Sequence, residues 1–203
     1  MTLQLNSKGE DVKQIQTALN LYTDGIFGPN TKEAVVAFQR ENGLKPDGIV
    51  GPETLKVLQA RTNMRASKRK IKEIIVHCSA TKAGAEFTVE DIRRWHKQQG
   101  WSDVGYHYVV YLDGSIHAGR SVDVAGTHCT GHNTGSIGIC YIGGLDAAGK
   151  HAKDSRTDKQ KASLLALLQR LRKMYPEATI HGHRDFARKD CPSFNATLEY
   201  ANL

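Results

Sequence analysis

The stretch His181-Gly182-His183-Arg184-Asp185-Phe186-Ala187-Arg188-Lys189-Asp190-Cys191-Pro192 decides how this chain is read. It follows a short β-like run, Ala178-Thr179-Ile180, and has little apolar content, so it reads as a loop at the edge of a sheet. Loops on rigid scaffolds are where chemistry usually sits. This one gathers imidazole, ammonium and thiol groups. Histidine nitrogen and cysteine thiolate are ligands that zinc prefers, and three protein ligands leave a fourth position open. Upstream, His77 in Ile74-Ile75-Val76-His77-Cys78 is the best third candidate. Spacing does not choose between His181 and His183, because alternate residues of an extended segment share a face.

Working outward from that loop, residues 73–203 read as an α/β domain. Ile74 to Cys78 is a near-continuous apolar run of β-branched type, as a buried strand would be, with His77 and Cys78 on opposite faces. Thr88 opens a helix with Ile92 and Trp95 on one face and Gly100 as its stop. Tyr106 to Tyr111 and Ile116 to Ala118 flank an Asp113-Gly114 turn, a hairpin signal. Ser136 to Ile142 is a further strand, and the glycine and asparagine between Gly131 and Gly135 suggest a flexible loop bordering a groove. A helix starts at Thr157, where Gln160 completes a capping box, and Pro176 ends the pattern. Its face of Leu164, Leu165, Leu167, Leu168, Leu171 and Met174 is core. This order of elements predicts a mixed β-sheet flanked by helices.

Residues 1–60 have a different texture. Asp24-Gly25-Ile26-Phe27-Gly28-Pro29-Asn30-Thr31 recurs as Asp47-Gly48-Ile49-Val50-Gly51-Pro52-Glu53-Thr54, and each copy leads into a short amphipathic run. Asp-Gly supplies a turn, and proline just inside a helix start costs no hydrogen bond. Val12, Ile15, Leu19 and Tyr22 recur at helical spacing before the first copy. A compact three-helix domain is expected, without histidine or cysteine and without catalytic character. Residues 61–72 are basic, contain no acid and read as an interdomain linker with a solvated charged face.

Composition narrows the function. The 203 residues carry a formal net charge of +7, which favours anionic partners. Aromatics are not interleaved with Lys and Arg as a single-strand stacking platform requires, so nucleic acid is not expected. The start, Met1-Thr2-Leu3-Gln4-Leu5-Asn6, lacks a basic head and an apolar run, and no stretch approaches the ~20 apolar residues of a membrane span. A cytoplasmic product without a membrane anchor, released by some other agent, is expected. The four cysteines show no CxxC pair, so free thiols or a metal ligand are expected rather than a disulfide framework. Cys78 and Cys140 lie in apolar runs and read as core.

Two resemblances go further. Gly9, Val12, Leu19, Asp24-Gly25-Ile26-Phe27-Gly28, Thr31, Ala34, Val35, Phe38, Gln39, Gly43-Leu44, Asp47-Gly48 and Gly51 resemble the small peptidoglycan-binding domain of bacterial and phage wall hydrolases. His77 with its strand, Trp95-His96, Gly100-Trp101, Val104-Gly105-Tyr106-His107-Tyr108, Asp113-Gly114, Ala118-Gly119-Arg120, Asn133, Ser136-Ile137-Gly138, Gly143-Gly144 and His183 through Cys191-Pro192 resemble the type 2 amidase family. That family is the zinc N-acetylmuramoyl-L-alanine amidase fold shared by phage T7-type lysozymes and peptidoglycan recognition proteins.

The second resemblance implies a Zn2+ cofactor held by His77, His183 and Cys191, with Tyr106 and Lys189 assisting catalysis. It puts His128 where the phage enzymes have a further histidine near the cleft; His96 and His107 are expected to serve packing or supporting hydrogen bonds. The implied reaction is hydrolysis, by a zinc-activated water, of the amide joining N-acetylmuramic acid to L-alanine. The implied partner is bacterial peptidoglycan, the implied setting host lysis, and a monomer is expected. A non-catalytic peptidoglycan recognition protein would lack the cysteine ligand, and a wall-recycling amidase is the other alternative. The polymerase-inhibiting role of T7-type lysozymes is not expected to carry over, because a linker and a helical domain occupy the N-terminus of the amidase domain.

Overall fold

The structure, a computed structural model, describes residues 2–19, 21–62 and 66–203. It divides into two compact units, Met1–Arg65 and Ala66–Leu203.

The first unit contains helices α1 (Glu10–Ala18), α2 (Pro29–Glu41) and α3 (Pro52–Thr62). Val12, Ile15, Phe27, Val35, Phe38, Val50 and Leu58 form its core. The sequence repeat is also a hydrogen-bond repeat. Gln16 Nε2 donates to Asp24 Oδ1 (2.7 Å), the Ile26 carbonyl (3.0 Å) and Thr31 Oγ1 (3.3 Å), while Gln16 Oε1 accepts from Gly25 N–H (2.9 Å). Gln39 does the same with Asp47, the Ile49 carbonyl, Thr54 and Gly48. Each glutamine thus pins one turn to the helix before it, and the positive φ of Gly25 and Gly48 (75° and 73°) is why glycine follows the aspartate. Tyr22 departs from expectation. Helix α1 ends at Ala18, the Leu21 N–H turns back to the Gln16 carbonyl, and Tyr22 is 87% exposed instead of lying on the apolar face.

The second unit is built on a five-stranded mixed sheet of β1 (Glu73–Cys78), β2 (Tyr108–Val110), β3 (Ile116–Ala118), β4 (Ser136–Tyr141) and β5 (Thr179–Gly182), in the order β3-β2-β4-β1-β5. Strands β2, β4, β1 and β5 are parallel, and β3 closes the hairpin antiparallel to β2. Helix α4 (Val89–Gln98) starts at a capping box between Thr88 and Asp91 and buries Val89 and Ile92 with Val109 and Cys140. Helix α5 (Asp158–Met174) starts at the expected Thr157–Gln160 box. The Gln160 amide also donates to the Val110 and Ile142 carbonyls, which ties the helix start to the sheet.

Four local expectations are corrected. Strand β2 begins at Tyr108, which leaves Tyr106 in the preceding loop. Leu165 is 39% exposed, because the buried stripe of α5 runs through Leu164, Leu167, Leu168 and Leu171. A short helix α6 (Ala196–Glu199) was not expected; Asn195 caps it by accepting from the Leu198 N–H. The linker reading of residues 61–72 also fails in part. Arg61 and Thr62 close α3, and residues 63–65 lie outside the described residues. Ser67 and Arg69 belong to the second unit: Ser67 bonds Tyr175 Oη and the Val122 carbonyl, and the Arg69 guanidinium donates to the carbonyls of Val122, Asn133, Thr134 and Ser136.

Candidate metal centre

Parallel register brings the distant histidines together. Val76 pairs with Gly182 across β1 and β5, so His77, the next residue of β1, and His183, the first residue after β5, follow paired positions on neighbouring parallel strands. Their rings lie 4.6 Å apart, centroid to centroid, at the C-terminal edge of the sheet, where parallel α/β folds place ligands. His77 is 1% exposed and His183 is half-buried. The loop after His183 then folds back: the Arg184 N–H donates to the Cys191 carbonyl (2.7 Å), and the Cys78 N–H to Cys191 Sγ (3.3 Å). Beyond the cis Cys191–Pro192 bond, Tyr141 Oη donates to the Pro192 carbonyl (2.6 Å).

A donor atom from each of His77, His183 and Cys191 lies within 4.8 Å of the other two. Nδ1 is the His77 nitrogen on the cysteine side, 3.7 Å from Sγ. His181 is not part of this cluster. It lies on β5, with Nε2 2.8 Å from Thr179 Oγ1 and Nδ1 3.8 Å from Asp185, so the tie that spacing left between His181 and His183 is broken by geometry.

Electrostatics favour neutral imidazoles here. Burial pushes His77 well below the ordinary histidine value, with His128, His183 and Lys189 adding to the effect. Burial and the Lys189 ammonium lower His183 likewise. The Cys78 sulfur beside it, and then burial, push the Cys191 thiol up, so this thiol needs a cation at its side to ionise. Two neutral imidazoles and a half-buried thiol form a donor set suited to a borderline-soft cation such as zinc.

The other expected site residues surround this cluster. The Tyr106 ring lies 5.1 Å from the His77 ring. Burial first, and the sulfurs of Cys140, Cys191 and Cys78 after it, raise its phenol well above the ordinary value, so it stays protonated at neutral pH. Lys189 is exposed on the return loop, its ammonium near enough to depress both imidazoles. His128 is 7% exposed and packs edge-on to His77 at 5.0 Å, behind the cluster and not on an open wall. Burial lowers its pKa to about 3. His96 accepts the Gly105 N–H, and His107 accepts the Gly138 N–H.

Asn133, Ser136 and Arg69 were not expected to support the centre. Asn133 Oδ1 accepts from the N–H groups of His128 and Cys129, and Arg69 holds the carbonyl of Ser136. Asn133 and Ser136 were among the residues that carry the amidase resemblance, without a role there, and nothing in the sequence hinted at Arg69.

Both units match families of known proteins. Residues 8–58 match the model of a putative peptidoglycan binding domain, and residues 67–194 match that of the N-acetylmuramoyl-L-alanine amidase family. The endolysin of Enterobacteria phage K11 is 47% identical over 123 residues, covering 61% of this chain and 81% of that protein. The endolysin of Escherichia phage T7 is 46% identical over 122 residues, covering 60% and 80%. Among solved structures, the N-acetylmuramoyl-L-alanine amidase LysC from Clostridium intestinale URNW superimposes with a TM-score of 0.55 at 28% identity, over 68% of this chain and 89% of that one. With the matched model spanning more than half its length, the chain belongs to the N-acetylmuramoyl-L-alanine amidase family.

Proposed function

We propose that this chain is a zinc-dependent peptidoglycan hydrolase that cleaves the amide between N-acetylmuramic acid and L-alanine, acting as a monomer in lysis of a bacterial host. The observation that carries this reading is the convergence of His77, His183 and Cys191 within 4.8 Å, in a chain of the amidase family. These three side chains would hold the ion: their nitrogen and sulfur donors suit zinc better than magnesium or calcium. When bound, zinc supplies a Lewis acid that lowers the pKa of water toward about 7.

The remaining chemistry falls to the chain's own residues. His77 and His183 stay neutral and so keep a lone pair for the cation, while Cys191 contributes the thiolate charge. Attack on the amide places negative charge on the carbonyl oxygen, and the Lys189 ammonium is the group assigned to stabilise it. The attacking water must shed a proton, and the leaving nitrogen of L-alanine must take one up as its bond to carbon breaks. Tyr106, protonated and beside His77, is the group assigned to hold and deliver that proton.

The first unit's likeness to a peptidoglycan-binding domain, together with the +7 charge, supports an anionic polymeric wall as substrate, and hence lysis over recycling of small fragments. Among the described residues no helix is long and apolar enough to cross a membrane. The protein would wait in the cytoplasm of the producing cell and meet the wall on release.

Mass spectrometry of digested peptidoglycan tests the reaction type. New free L-alanine amino termini without new reducing sugars are expected. New reducing sugars without free L-alanine would assign a glycosidase and overturn the reading.

A further inference from the structure

Nothing so far gives His128 a task, yet the fold builds a slot for it. A methyl group at Gly126 or at Gly138 would overlap its ring, so only glycine at both positions leaves room. Its backbone N–H is held by Asn133 Oδ1 at 2.8 Å. Its ring nitrogens each face one partner: Nδ1 lies 3.1 Å from His77 Nε2, and Nε2 lies 3.3 Å from Ser136 Oγ. Ser136 is itself fixed, being fully buried on β4 with its carbonyl accepting from Arg69 at 3.1 Å.

We propose that His128 is a positioning residue that fixes the tautomer and ring orientation of His77, through a directed chain from His77 to His128 to Ser136. This rests on the reading of His77, His183 and Cys191 as a metal site. His77 presents Nδ1 toward Cys191, so a cation bound among the three takes the Nδ1 lone pair. A neutral imidazole that gives up Nδ1 carries its proton on Nε2, and the acceptor in reach of Nε2 is His128 Nδ1. His128 then carries its proton on its own Nε2, where the Ser136 hydroxyl oxygen accepts it. A ligating histidine whose remaining N–H is anchored cannot rotate away from the metal, and loss of such an anchor typically weakens metal affinity by about 10–100-fold. A ring that only filled space would need neither nitrogen oriented.

The test uses the full chain and zinc ion alone, with affinity read by competition against a chromogenic chelator. His128→Leu removes the acceptor. His128→Asn keeps one, since its amide oxygen occupies the place of Nδ1. The expected result is a 10–100-fold weaker zinc affinity for His128→Leu, within the range given above, and wild-type affinity to within a few-fold for His128→Asn. In zinc-loaded wild-type protein the His77 imidazole N–H should give a slowly exchanging proton resonance, kept in the Asn variant and lost in the Leu variant. Should His128→Leu fail to fold, the Asn variant decides alone. His128→Leu binding zinc as tightly as wild type, or a folded His128→Asn that has lost affinity, overturns the inference while leaving the metal reading intact. A wild-type protein that binds no zinc removes the metal reading and this inference with it.

Discussion

Gln16 and Gln39 in the first unit are as deeply buried as His77 in the second, at 2%, 1% and 1% exposure, but they differ in what surrounds them. The glutamine amides meet complementary partners: each carbonyl oxygen receives a glycine N–H, and each amide nitrogen finds a carboxylate, a backbone carbonyl and a hydroxyl. His77 has one side anchored on His128 and the other turned to a thiol and a second imidazole. That second set is rich in metal-type lone pairs that do not complete one another. Burial of a polar group is therefore not the mark of function; what matters is whether its neighbours satisfy it or leave the same kind of lone pair converging on one point.

This contrast can be broken or sharpened by experiment. The largest effect should come from His183→Ala or Cys191→Ala, which remove a donor: zinc is lost and wall lysis, followed by turbidity, falls to background. Lys189→Ala removes a charge from beside the cluster without removing a donor. Zinc content should persist while kcat drops by about 10²–10³-fold, the cost typical of losing one oxyanion-stabilising donor.

The two units should also respond differently to pH. Burial lowers His107 from the ordinary 6.5 to about 4, so the unfolded chain binds a proton that the folded unit refuses. Stability is then fully present above about pH 6.5 and is lost as pH falls toward the folded value. Between pH 6.5 and 5, above most carboxylate titration, urea unfolding in chelator should show the second unit losing at least about 1.5 kcal/mol, the share of this residue, as the slope rises toward about 1.4 kcal/mol per pH unit. The first unit contains no histidine and should stay flat across that window.

The smallest effect on zinc binding and lysis belongs to the glutamines. Gln39→Leu removes the amide that Gly48, Asp47 and Thr54 share, and should destabilise the first unit by about 1–3 kcal/mol in thermal unfolding. Zinc content should not change.

The same contrast explains what could be read in the sequence. The elements of the second unit were legible because strand runs, capping boxes and a Pro stop are local signals, and His77 and His183 stood out because one lies at the end of a strand run and the other begins the loop after another. Their meeting depends on the β1–β5 register, which no local pattern encodes. Spacing left His181 and His183 tied because they are two residues apart; the family resemblance pointed to His183, and in the structure the turn after Gly182 separates the two. Arg69 was hidden because a basic run is usually a solvated face, whereas here one guanidinium is drawn inward by four carbonyls that come from other segments. Tyr22 misled because helical spacing continued past Ala18, where the turn held by Gln16 stops the helix.

X-ray absorption at the zinc edge of the purified full-length protein tests the central claim most directly. The account predicts stoichiometric zinc with one sulfur neighbour at about 2.3 Å and nitrogen neighbours at about 2.0–2.1 Å, the sulfur shell disappearing in Cys191→Ala. A lytically active protein without zinc, or with zinc bound by nitrogen and oxygen alone, would contradict it.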